Sequence, residues 1–224
     1  AVLHVLNVVC AKEGVRGVAA THSATIPLLE FPCSTRYSLR GDSIAYNQEI
    51  VKFVREQKVK NVLLAAAWNG YISSTSTQLE KDRFNSCLTE TIDALHKAGA
   101  KVFIMEDVPK QKFNVPRMLA VAVRFGKDPS KLGLPVMDER LRTAWINKTF
   151  DRFAGASVVL LDPASILTDQ SGICRAEMDG KALYFDQQHL TIFGEMQLQP
   201  MFDQMIRQEI VPRSKTEILQ AKAL

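Results

Sequence analysis

Val59-Lys60-Asn61-Val62-Leu63-Leu64-Ala65-Ala66-Ala67 is the stretch that decides the fold. It reads as one continuous apolar strand, without the in–out alternation of a strand that has one wet face. Such a run is the signature of a parallel strand buried on both sides. Working outward, residues 45–57 form a helix with Ile50, Phe53 and Val54 on one face. Residues 78–98 form the longest helix, with Leu79, Phe84, Leu88, Ile92 and Leu95 near helical period and Gly99 as its stop. Lys101–Met105 is the next strand, residues 138–153 the next helix, and Ser157–Leu161 another strand. At the start, Val2, Leu3, Val5, Leu6, Val8 and Val9 make an apolar helical stripe that Gly14 ends, and Val15–Thr21 reads as a strand. Alternating strands and helices with buried apolar strands predict an α/β fold. Helices cover both sides of a central parallel sheet, giving a three-layer α/β/α sandwich.

The segments between carry less pattern. Residues 22–44 form a long loop with Pro27, Pro32 and Gly41, and loops of that length often serve function. Residues 107–137 are rich in Pro, Gly and Lys and hold one short helix, Pro116–Phe125. Ser165–Asp179 is irregular, with room for a small hairpin. The last helix is expected over Thr191–Ile210, inside a domain of residues 1–210, and a tail of residues 211–224 follows.

The composition narrows the function classes. The chain has 224 residues, 46% of them hydrophobic, which suits a single domain with a sizeable core. No apolar run is long enough to cross a bilayer. The net charge of +4 is scattered, and no basic cluster interleaves with aromatics, so nucleic acid is not an expected partner. The four cysteines, Cys10, Cys33, Cys87 and Cys174, form no Cys-x-x-Cys pair and complete no zinc pattern. Cys10 and Cys87 sit on helical stripes and read as buried thiols. Cys33 and Cys174 fall in loop-like segments, where a disulfide stays open to them in an oxidising compartment.

The chemistry concentrates in Leu183-Tyr184-Phe185-Asp186-Gln187-Gln188-His189-Leu190-Thr191-Ile192-Phe193-Gly194. A carboxylate three residues ahead of an imidazole, between a short apolar strand and a helix start, suits acyl transfer. His189 serves as general base, and Asp186 holds its tautomer and stabilises the imidazolium. The plainer alternative is a helix-capping Asp and a surface His. Other candidates are weaker. Glu106-Asp107 ends a strand on the edge where α/β sheets bind ligands, and reads as a cap, an acceptor contact or a metal pair without further ligands. His22 reads as a loop histidine bonded to backbone, and His4 and His96 receive no function.

The Asp186–His189 run resembles the last sequence block of SGNH-type serine esterases. It looks most like the SGNH domains fused behind membrane-bound acyltransferase-3 proteins, which O-acylate bacterial surface glycans. Arg16–Leu28 is similar to the family's second strand and small-residue loop, and Tyr46–Val51 to its helix opening with an aromatic-Asn pair. Val62–Trp68 resembles its strand ending in tryptophan, Asn114–Ala120 its Pro-containing insertion, and Asp179-Gly180-Lys181 the approach to the Asp–His block. The resemblance implies an SGNH/flavodoxin-like sheet and a nucleophile in a Gly-Asp-Ser-His motif after the first strand. That strand and its serine are expected upstream of Ala1. Gly41-Asp42-Ser43 spells the motif, but the preceding Ser34–Arg40 has two arginines and no apolar run, so Asp42 or Ser43 reads as the cap of the helix from about Ala45 instead.

By resemblance, Asn69 would supply the side-chain donor of the oxyanion hole, and the family's glycine donor falls near Ser23-Ala24. Trp68 would wall the site and stack on a sugar, or else belong to the core. No cofactor and no metal are implied. The implied partners are a carbohydrate acceptor and an acyl donor delivered by a membrane acyltransferase domain, for an extracytoplasmic, periplasmic domain of an inner-membrane protein. The implied activity is transfer of an acyl group, often acetyl, to a sugar of a surface glycan such as lipopolysaccharide. A carbohydrate O-acetyl esterase and a degenerate glycan- or partner-binding domain remain the alternatives.

Overall fold

The computed structural model describes Val2–Cys33, Tyr37–Leu39 and Asp42–Val211; the expected tail beyond Val211 lies outside the described residues. Helix α1 spans Leu3–Lys12, α2 Ser43–Glu56, β1 Asn61–Ala65, α3 Gln78–Lys97 and β2 Lys101–Met105. Then come α4 (Val115–Arg124), β3 (Gly133–Pro135), α5 (Val136–Asp151), β4 (Val158–Leu161) and α6 (Pro163–Leu167). The chain continues with β5 (Ile173–Arg175), β6 (Glu177–Met178), β7 (Lys181–Ala182), α7 (Ile192–Gln197) and α8 (Gln199–Met205). These elements divide into two compact units. One is made of Ala20–Val108 and Met137–Pro163; the other of Ala1–Ala19, Pro109–Val136 and the residues from Ala164 onward.

The first unit holds the parallel sheet, in the order β1-β2-β4. Leu63 pairs with Phe103, and Phe103 with Val159. The fold is α/β, a parallel sheet flanked by helices, as the sequence predicts. Leu64, Val102, Ile104 and Val158 bury with Phe84, Leu88, Ile92 and Leu95 of α3, Val54 of α2, and Ile146 and Phe150 of α5. Helix α3 opens on a capping box, in which the Thr77 side chain and Glu80 satisfy each other's backbone N–H groups. It closes at Gly99, whose φ of +83° suits a residue without Cβ. Two expected core positions are exposed instead. Leu79 lies in the open first turn of α3, and Phe53 faces out because α2 turns Ser43, Asn47 and Val54 inward. Asn47 has a structural task there. Its Nδ2 donates to the carbonyls of Ile26 and Leu28, both at 2.8 Å, and pins the long loop before α2.

Val15–Thr21, expected as a strand, pairs with no strand among the described residues, and Arg16–Thr21 is exposed. Gly17, Ala19 and Ala20 offer too little apolar area to bury such a segment between layers.

The second unit is built from short pieces. Strands β3 and β5 pair antiparallel, with Leu134 opposite Cys174, and β6 and β7 form a hairpin. Its turn residues Asp179 and Gly180 take φ of +52° and +75°, the left-handed pair that an Asp-Gly turn favours. Helix α1 packs on α7 and α8, and its Val5 and Val9 are buried. The single helix expected over Thr191–Ile210 is broken. Pro200, in the first turn of α8, has no N–H to continue the ladder from α7, and Ile206–Ile210 winds into a π turn. None of the four cysteines is held in a disulfide; Cys33, Cys87 and Cys174 are buried and Cys10 is partly exposed. Cys174 lies on β5 rather than in a loop.

Candidate active site

The loop after β7 is closed by its own backbone. Tyr184 and Leu190 form an antiparallel bridge, and the Phe185 N–H donates to the His189 carbonyl at 2.9 Å. Tyr184 and Leu190 are buried, so the four residues between Phe185 and Leu190 are held at the surface by two apolar anchors. Asp186 Oδ1 accepts the N–H groups of Gln188 at 2.7 Å and His189 at 2.8 Å, which folds the turn. Its other oxygen, Oδ2, lies 2.6 Å from Nδ1 of His189. That bond places the ring proton on Nδ1 and leaves Nε2 with its lone pair. The Phe185 ring stacks on the imidazole at 5.3 Å and 14°, fixing the ring plane. The His189 side chain is 51% exposed, so the imidazole is reachable from solvent.

The electrostatics agree with this geometry. Partial burial pushes the Asp186 carboxyl up. The N–H groups of His189 and Gln188 and the His189 ring outweigh that and hold it below the ordinary carboxylate value. The insertion before α4 locks the loop from one side: Gln111 N–H donates to the Gln187 carbonyl at 2.8 Å, and Val115 N–H to the Asp186 carbonyl at 3.1 Å. Gln111 is itself buried and anchored to the Cys174 carbonyl at 3.0 Å. Thr191 then caps α7 through the Gly194 N–H.

The other predicted site residues belong to the parallel-sheet unit. Trp68 and Asn69 sit in a single 3₁₀ turn just beyond β1. Trp68 is fully buried, its Nε1 donates to the Met105 carbonyl at 2.7 Å, and its ring packs edge-on against Phe84 and Phe150. A ring enclosed in this way has no free face for a sugar, so Trp68 is a core residue and the stacking role is withdrawn. Asn69 donates its N–H to Asp107 Oδ2 at 3.0 Å. Its amide takes the orientation in which Nδ2 donates to the Arg142 carbonyl and Oδ1 accepts from Arg142 Nη1, each at 3.1 Å. Ser43 is fully buried, and its hydroxyl accepts the Cys33 N–H at 3.2 Å. His22 lies in an exposed loop with Nδ1 2.9 Å from the Ser23 carbonyl, and Ala24 takes a φ of +49°, a conformation usually left to glycine.

Sequence reading missed what Glu106 and Asp107 do. Burial raises Glu106 to about 7; Asp162 adds to the rise and Arg140 opposes it. Burial also raises Asp107 to about 6, against the Asn69 N–H and Arg142. Arg140 pairs with Glu106 at 3.5 Å and with Asp162, and Arg142 makes two bonds to the buried Glu139. No motif announces this network; only carboxylates at two strand ends and arginines two apart on one helix could have hinted at it. Among the described residues, no group of three or more His, Cys, Asp or Glu side chains is placed to hold a metal ion.

Residues 1–204 match the protein family described as the SGNH domain fused to AT3 domains. The chain belongs to this family. Membership places this SGNH domain among acyl-transfer proteins at a coarse level and associates it with an AT3 partner domain. Its fold is also similar to the periplasmic domain of a lipopolysaccharide acetyltransferase from Salmonella ser. Paratyphi A. The TM-score is 0.66 at 17% identity, over 92% of this chain and 79% of that one. No curated protein matches the chain in sequence. Among the described residues, no helix is long and apolar enough to cross a membrane.

Proposed function

We propose that this SGNH domain works outside the cytoplasm, in the periplasm, and completes transfer of an O-acyl group, acetyl in the first instance, onto a hydroxyl of a surface carbohydrate. The reading rests on the 2.6 Å contact between Asp186 and the Nδ1 edge of a half-exposed His189. The nucleophile is assigned to a serine of the family's Gly-Asp-Ser-His type and not to Ser43, which is buried and hydrogen-bonded to the Cys33 N–H. In this mechanism Nε2 of His189 takes the serine proton as the oxygen attacks the donor's acyl carbonyl. The imidazolium returns that proton to the leaving group, and an acyl-serine remains. Nε2 then takes a proton from the sugar hydroxyl, whose oxygen attacks the acyl-serine, and the imidazolium reprotonates the serine. Asp186 stays ionised throughout and stabilises the imidazolium. An AT3 membrane domain is assigned delivery of the acyl group.

The test uses the protein together with its AT3 partner domain and reads acetyl groups on the surface glycan by mass spectrometry. His189→Ala should abolish acetylation, and Asp186→Asn should lower the rate by roughly 10²–10⁴. Undiminished acetylation by His189→Ala would sink the proposal.

A further inference from the structure

We propose that the outer face of α4 docks on an anionic phospholipid surface. The argument is independent of the acyl-transfer reading and starts from how the helix distributes its side chains. Val115 and Ala122, seven residues apart, are buried, with Met118 and Leu119 partly buried beside them. At 100° per residue, Arg117 and Arg124 then share the opposite crest. On one flank of that crest lie Val121 and Phe125; on the other lie Pro116, Ala120 and Val123. All of these are exposed, and Val123 and Phe125 each expose 67% of their surface. An outward helical face that mixes large apolar side chains with arginines is not a solvated face of the ordinary kind.

The charge is one-sided. From Val108 to Lys127 the sequence has five basic residues, Lys110, Lys112, Arg117, Arg124 and Lys127, and no acidic one. That local excess is larger than the net charge of +4 on the whole chain. Among the described residues no carboxylate pairs with Arg117, Arg124 or Lys127. The guanidinium of Arg124 lies 5.8 Å from the Phe125 ring centroid, so the cation and the apolar group present together. The crest is a convex helix face and encloses no cavity. A small anion or a sugar has nothing to enter, whereas a plane of acidic headgroups over acyl chains meets both kinds of side chain. The arginines reach phosphates, and Val121, Val123 and Phe125 enter the headgroup boundary. The same segment is hydrogen-bonded to the Asp186–His189 loop, so docking here would present that loop beside the lipid surface.

Flotation of this chain with vesicles tests the idea. Vesicles of phosphatidylglycerol and phosphatidylcholine should carry the chain at low salt, and vesicles of phosphatidylcholine alone should leave it behind. The double variant Arg117→Glu/Arg124→Glu should weaken partition at least tenfold, and Val123→Ser/Phe125→Ser severalfold. Both variants should keep the melting temperature of the unmodified chain, because every changed residue is exposed. Excess inorganic phosphate at matched ionic strength should compete poorly. Failure to bind the anionic vesicles would overturn the proposal. So would binding that ignores the Val123/Phe125 change, or that phosphate or a soluble anionic polysaccharide abolishes, since the face would then be reading charge alone.

Discussion

Asp186 carries two tasks on two oxygens, and they separate by substitution. Oδ1 holds the turn through two N–H groups, and Oδ2 holds the imidazole. Asp186→Asn can keep the carbonyl oxygen on the turn, but it sets an amide N–H₂ against Nδ1–H and favours the wrong tautomer. Activity should therefore fall while the melting temperature moves little, whereas Asp186→Ala should lower both; thermal melts beside acetylation rates separate the cases. The lowered carboxyl adds stability that is present above its unfolded value and is lost as pH falls through its folded one. Gly194 makes a sharper prediction. A Cβ there would stand 2.1 Å from the Leu183 carbonyl oxygen, which is backbone and cannot swing away. Gly194→Ala should cost several kcal/mol, of the order of the larger single-residue losses, and urea unfolding would read it. The Asp–His pair was legible because the turn that joins it is local, three residues long. Trp68 was not, because a tryptophan after a strand has the same signature whether it faces a cleft or the core. Ser43 was read as part of a helix start, since the residues before it lack a strand's apolar run, and it is the first residue of α2.

At the scale of elements, sequence pattern succeeded where its signal is local, although β1 buries only Leu64 instead of both its faces. Strands β1, β2 and β4 and helices α3, α4 and α5 fall within a few residues of their expected spans, because continuous apolar runs and helical stripes record the same burial that forms them. It failed where pairing is distant or backbone chemistry intervenes. β3 finds its partner β5 across some forty residues, Val15–Thr21 has the residue types of a strand without one beside it among the described residues, and Pro200 breaks the final helix. The network on α5 escaped for the same reason, since it joins three separate elements. Arg142 bonds the Asn69 amide beyond β1, lies 3.7 Å from Asp107 beyond β2, and pairs with Glu139 on its own helix. Glu139 is only 1% exposed, so removing Arg142 takes a two-bond cation partner from a buried carboxylate. Arg142→Ala should cost about 3–5 kcal/mol in chemical denaturation. Arg142→Lys should recover only part of it, because an ammonium cannot make the paired contacts of a guanidinium. A loss below about 1 kcal/mol for Arg142→Ala would show that the network does not hold the turn carrying Asn69.

For the molecule as a whole, the raised carboxyls set the direction of its pH response. Glu106 near 7 and Asp107 near 6 both lie above their unfolded values, so these two groups bind more protons in the folded chain than in the unfolded one between roughly pH 4 and 7. Their contribution is fully present below the unfolded values and is lost as pH rises through the folded ones. The stability these two groups contribute should therefore decline from about pH 4 to pH 7, with Glu106 responsible for about 1–3 kcal/mol of the change. The two tryptophans, Trp68 and Trp145, both belong to the unit that holds these carboxyls, so tryptophan fluorescence in urea reports on that unit. The unfolding midpoint should fall across this window in the unmodified chain. Glu106→Gln should flatten the slope, because it keeps an acceptor for the Asn147 Nδ2, now 2.8 Å from Glu106, without a proton to lose. A midpoint that climbs with pH, or a slope unmoved by Glu106→Gln, would mean that Arg140 holds Glu106 ionised despite its burial. The carboxyl cluster at the ends of β2 and β4 would then act as a fixed ion pair rather than a proton store.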